Sequence, residues 1–177
     1  MCVVDKYEGS RIPPMISTIE LSQHLQENWK SLRGRTYDLL DVLKQEDLEK
    51  KLPFPTSQSL YYQFECMVGT TETLADAIKT GKSQTWHCSL WSVPSHVSSQ
   101  VPLVTVREHF QQSDELFLSA LGGAELLTKQ EDQTSPLQKY WMLVEHESHH
   151  HGQLINFVYA LDLPIPQSWA DLWKLTR

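Results

Sequence analysis

Apolar residues recur at three- and four-residue intervals through most of the chain, a period that belongs to amphipathic helices rather than strands. Leu21, Leu25, Trp29, Leu32, Leu39 and Leu43 trace one such stripe, opened by Ser17-Thr-Ile-Glu20, which has the spacing of a capping box. The pattern predicts a first helix to about Lys44, weakened by Gly34 by under about 1 kcal/mol and not broken. Gln45 to Leu52 reads as a short extra turn before Pro53 and Pro55 stop it. A second helix starts near Ser57 or Ser59, turns Leu60, Phe64, Met67, Thr71, Leu74 and Ile78 inward, and ends at Gly81. Another capping box, Thr105-Val-Arg-Glu108, opens a third helix through Val106, Phe110, Phe117 and Leu121, closed by Gly122-Gly123. Ser135-Pro136, with Gln138 at the third helical position, starts a fourth that ends before Pro164. Trp169, Leu172 and Trp173 predict a short closing helix, and residues 1–16 a loose arm ending in Pro13-Pro14.

No stretch alternates as a strand would, and no internal repeat is present. The expectation is therefore all-α: a four-helix bundle in a single domain, 1–177, with a long irregular connection between helices 2 and 3. That connection, 82–102, holds Trp86-His87-Cys88 and Trp91 and exceeds an ordinary loop, a length suited to covering a site or making contacts. A length of 177 residues buries a sizeable core. The formal charge of -7, with no basic patch, speaks against nucleic acid or an anionic membrane as partner. No apolar run reaches membrane-spanning length, and no signal-type apolar stretch opens the chain. Cys2, Cys66 and Cys88 make an odd number, which favours free or metal-bound thiols in the cytoplasm over a disulfide framework.

Four of the eight histidines fall in one stretch, His146 to Gln153, read His-Glu-Ser-His-His-His-Gly-Gln. His146 and His150 are four apart, so on a helix both rings project from one face and reach one metal ion. Leu143, Phe157 and Leu161 continue their stripe and place the pair on the buried side. His149 and His151 each follow a glutamate by four residues, Glu145 and Glu147, and read as surface pairs or supports rather than ligands. Glu147 sits beside a ligand, where it can serve as a general base, but lies one residue off the stripe, where a surface role is as good a reading. His146-Glu147-x-x-His150 also matches the zinc-peptidase signature. That reading needs a third ligand downstream, for which the chain offers Asp162 or Asp171, and a substrate-binding sheet edge that the pattern does not supply.

His146-x-x-His149-His150-x-Gly152-Gln153, late in a four-helix chain of this length, resembles the DinB/YfiT-like family of metal-binding helix bundles. Ser59-Leu-Tyr-Tyr-Gln-Phe-Glu-Cys-Met-Val-Gly69 is similar to that family's second helix, and the ending, a proline followed by Trp169 and Leu172, is family-like too. The resemblance implies a divalent ion, zinc or nickel, held by one residue of helix 2 and two histidines of helix 4. It places Cys66 where the family carries a histidine, so the implied ligands here are Cys66, His146 and His150. A thiolate favours zinc, and three protein ligands leave a coordination position open, as catalytic zinc sites do. The family's arginine before the glycine is replaced by His151. The implied activities are metal-dependent hydrolysis or transfer of a low-molecular-weight thiol to a small-molecule electrophile. A non-catalytic metal sensor or stress-response binding module is the alternative, and a homodimer is the implied assembly.

Overall fold

The computed structural model describes residues 17–92 and 101–176. The expected N-terminal arm, 1–16, lies outside the described residues, as does 93–100 of the long connection. The described chain is helical throughout: α1 is Thr18–Val42, α2 Leu60–Thr80, α3 Leu103–Gly122, α4 Pro136–Ala160 and α5 Gln167–Trp173. Short 3-10 helices at Gln45–Glu49 and Ser89–Ser92 interrupt the connections. Among the described residues the only β pairing is an isolated bridge between Lys51 and Ser59, and there is no strand. No described helix is long and apolar enough to cross a membrane.

Local signals explain four of the helix ends. Ser17 and Glu20 bond each other's backbone at the start of α1, and Ser135 and Gln138 do the same at α4, with Pro136 just inside. Ser59 caps α2 by accepting from the Tyr62 amide, and Gly81 closes it at φ 73°, the left-handed conformation glycine takes most easily. The third helix departs from expectation. It begins at Leu103, after Pro102, and the predicted Thr105–Glu108 box forms no cap. A distant side chain does that work: Gln45 accepts from the Leu103 amide at 2.8 Å and donates to the Val101 carbonyl at 2.8 Å. With its first turn satisfied across the fold, α3 starts earlier than its own sequence indicates.

The long helices pack α2 against α3 and α4, and α1 against α3 and α4, while α5 lies on α1. Two apolar clusters result. One gathers Phe64, Met67, Phe110, Leu154, Phe157 and Trp169; the other gathers Trp29, Ile78, Phe117, Tyr140 and Leu143. The described part of the long connection lies on α2, whose Gly69 makes room for it. A Cβ there would stand 2.5 Å from Trp86 Cζ2 and 2.8 Å from the His87 carbonyl oxygen, so only glycine permits this approach. Glu72 accepts from the Ser89 amide at 2.7 Å and fixes the segment further along.

Candidate metal centre

Helix α4 is buried on two sides, because α1 and α2 both pack against it. Neighbouring positions on a helix diverge by about 100°, so 146/150 and 147/151 face different helices and meet different chemistry.

The 146/150 side meets α2. Cys66 Sγ lies 3.5 Å from His146 Nε2, and His150 Nε2 lies 3.2 Å from the same nitrogen. The sulfur and one nitrogen of each ring all fall within 4.8 Å of one another, and this is the one such trio among the described residues. Sequence reasoning missed two further participants. Gln63 Oε1 is 2.9 Å from His150 Nδ1, which makes Nδ1 the protonated nitrogen and leaves the Nε2 lone pair directed at the trio. The Thr70 hydroxyl is 3.2 Å from His146 Nε2. Both sit on α2 within a turn or so of Cys66, a position the stripe of Leu60, Phe64 and Met67 indicates but does not assign to the site.

The donor set fits a borderline-soft divalent ion such as zinc. Burial, and then its neighbour His146, lower the His150 pKa to about 3. Burial also lowers that of His146, so both rings are neutral near pH 7, as ligation requires. Burial pushes the Cys66 thiol up, so its thiolate calls for a compensating positive charge beside it. The trio lines a cleft of about 1020 Å³, together with Phe54, Tyr62, Phe157 and Tyr159 among others. His149 lies on the cleft wall with its Nε2 2.9 Å from Gln153 Nε2 and does not join the trio.

The 147/151 side meets α1 and corrects two expectations. Glu147 and His151 are not surface groups: their side chains are 0% and 3% exposed. Glu147 Oε2 is 3.2 Å from Arg33 Nη1, and the Thr36 hydroxyl donates to Glu147 Oε1 at 2.6 Å. Having given its proton there, Thr36 accepts from His151 Nε2 at 2.9 Å, which fixes that tautomer. Arg33 lies over the rings of Trp29 and Phe110, at 4.7 and 4.6 Å, and so sits between the two apolar clusters. It also binds Asp114 on α3 through Nε at 3.0 Å and Thr71 on α2 through Nη2 at 2.7 Å. Trp29 and Tyr37 complete the donors to Asp114. One guanidinium therefore links all four long helices. Burial raises the Glu147 carboxyl, but Arg33, His151 and Thr36 outweigh it and hold its pKa down to about 2. Burial also pushes Asp114 up, and there the shared guanidinium does not fully offset it.

No protein-family model matches the sequence, and no curated protein matches it. Local geometry therefore has to discriminate among the chemistries. An ionised, enclosed Glu147 bound to Arg33 cannot serve as the general base that the peptidase signature requires, and Asp162 and Asp171 belong to no ligand trio among the described residues. Within the long connection, Trp86 donates to Thr70 at 3.4 Å and so touches the rim of the trio. His87 pairs with Asp76 at 3.4 Å, and Cys88 is buried and donates to the Glu65 carbonyl, so neither reaches the cleft.

Proposed function

We propose that this chain is a divalent-metal-binding four-helix bundle of the DinB/YfiT-like type, acting as a metal-dependent hydrolase or thiol S-transferase through Cys66, His146 and His150. The observation that carries the reading is the convergence of three candidate ligand atoms, from two helices, on the wall of a large cleft. A bound zinc or nickel ion would supply Lewis acidity and stabilise an anionic nucleophile. The protein's own part is positional. Gln63 holds His150 in the tautomer whose Nε2 faces the trio. The open cleft beside the trio favours an enzyme over a closed sensor site, in which a fourth protein donor would be expected. The same reading extends to a cytoplasmic homodimer, in keeping with the free thiols of Cys66 and Cys88.

Elemental analysis of untagged protein tests it. About one zinc or nickel per chain is expected, falling to background in His146→Ala and His150→Ala. Cys66→Ser should weaken binding strongly, and Cys66→His should restore it. Cobalt-loaded protein should show the near-ultraviolet charge-transfer band of a thiolate ligand. Full metal content in the double histidine variant would end the proposal.

A further inference from the structure

The cleft itself has a chemical bias. Of the residues that line it, none among the described residues is Lys, Arg, Asp or Glu. Apart from Cys66, His146, His149 and His150, its polar groups are neutral amides and hydroxyls, such as Gln58, Thr56 and Asn156. Three aromatic side chains on its walls are unusually open for their size: Phe54 is 58% exposed, Tyr62 45% and Tyr159 46%. Large aromatics left exposed on the wall of a cleft offer faces for stacking, and they stay accessible without contributing to the packed core. An anionic ligand entering here would lose hydration and find no lysine or arginine along the walls to replace it. A neutral ligand with an aromatic or aliphatic body would lose little and gain stacking.

We propose that the cleft selects an uncharged small molecule with an aromatic or apolar body and discriminates against anionic ones, charged low-molecular-weight thiols included. The inference rests on the proposed metal centre only for where the ligand's reactive end lies. The selectivity comes from Phe54, Tyr62, Tyr159 and the uncharged polar wall. This narrows the thiol-transfer reading: the molecule in the cleft is the neutral partner of such a reaction.

Matched probes test the idea on the full chain. Benzyl mercaptan and 4-(mercaptomethyl)benzoate, which differ by one carboxylate, are titrated calorimetrically into zinc-loaded protein. Benzyl alcohol and 4-(hydroxymethyl)benzoate are titrated into metal-free protein. Zinc affinity is measured separately by competition with a chromophoric chelator. Each neutral probe should bind about tenfold or more tightly than its carboxylate, given the cost of stripping water from an unpaired anion. Asn156→Lys, at an exposed position of the wall, should narrow or invert that preference by supplying the missing cation. Phe54→Ala and Tyr62→Ala should each weaken the neutral probes by about threefold to tenfold, the scale of one aromatic contact, with zinc affinity unchanged. Failure of zinc competition alone would overturn the metal reading and leave the alcohol pair to judge the cleft. Equal affinities within each pair, preference for the carboxylates, or no binding of either neutral probe would overturn the cleft inference. The last result is what a cleft filled by another protein segment would give.

Discussion

Glu147 and His151 face α1 in the interior, while His146 and His150, one position back on the same helix, face α2 on the wall of the cleft. The two pairs differ in what surrounds them. Around Arg33, nearly every donor meets an acceptor, and His151 Nδ1 is the atom left over beyond the Arg33–Glu147 ion pair. Around Cys66 one buried ring nitrogen, His146 Nδ1, is likewise left over, but the sulfur and the two imidazoles there also line the cleft. Closed polar networks rigidify a fold, and open ones hold something or cost free energy. On the proposed reading the first cluster serves the fold and the second, on the cleft wall, serves chemistry.

The largest break in that comparison is Arg33→Met. It keeps the apolar stem between Trp29 and Phe110 but strands the buried carboxylate of Glu147 and the partly buried one of Asp114. Losing one partner of a buried pair costs about 3–5 kcal/mol. Urea unfolding should report a loss of that order. The fraction that remains folded should bind zinc as the parent does, because no ligand contacts Arg33. A variant as stable as the parent would mean that the network is dispensable.

Acid unfolding gives a smaller effect with a definite sign. The folded pKa of Glu147, about 2, lies below its ordinary value of 4.5, so its contribution is complete above pH 4.5 and is lost as pH falls toward 2. Asp114 is shifted upward, so its contribution runs the other way and offsets part of that loss. His146 and His150, lowered from 6.5, add a loss that begins below that value. Glu147→Gln should therefore flatten the decline between pH 4.5 and 2 and leave the earlier decline in place. Parallel stability-against-pH curves for parent and variant would show that Glu147 is not held ionised by Arg33.

Periodicity made the helices legible because each long helix carries a continuous apolar stripe. Ser17, Ser59, Gly81 and Ser135 also mark ends that depend on local chemistry alone. The start of α3 was not legible, since its cap comes from Gln45, 58 residues away from Leu103. The site was half legible for a related reason. A single-stripe reading suits a helix with one buried side, and it assigned 146/150 inward and 147/151 outward. Helix α4 packs against both α1 and α2, so both pairs are inside, and only the partner helix tells them apart. Gln63 and Thr70 gave no sequence signal, because a polar residue beside an apolar stripe looks the same whether it meets water or an imidazole.

The finest test swaps one threonine on each side. Thr36→Val and Thr70→Val both replace a hydroxyl by a methyl of similar volume, each next to a histidine of α4. Thr36 is fully buried and satisfies Glu147 and His151 together, so its loss leaves two enclosed polar groups short of a partner. The expected cost is about 1–3 kcal/mol in chemical denaturation. Thr70 borders the trio, is only partly buried and touches a ring whose Nε2 has other company in Cys66 and His150. Its replacement should change stability by no more than about 0.5 kcal/mol. If the hydroxyl only fills space that an ion would take, zinc affinity should hold steady or rise. Equal destabilisation by the two substitutions would mean that the Cys66 side is as tightly closed as the Arg33 side, with its hydrogen bonds serving the fold and not a ligand.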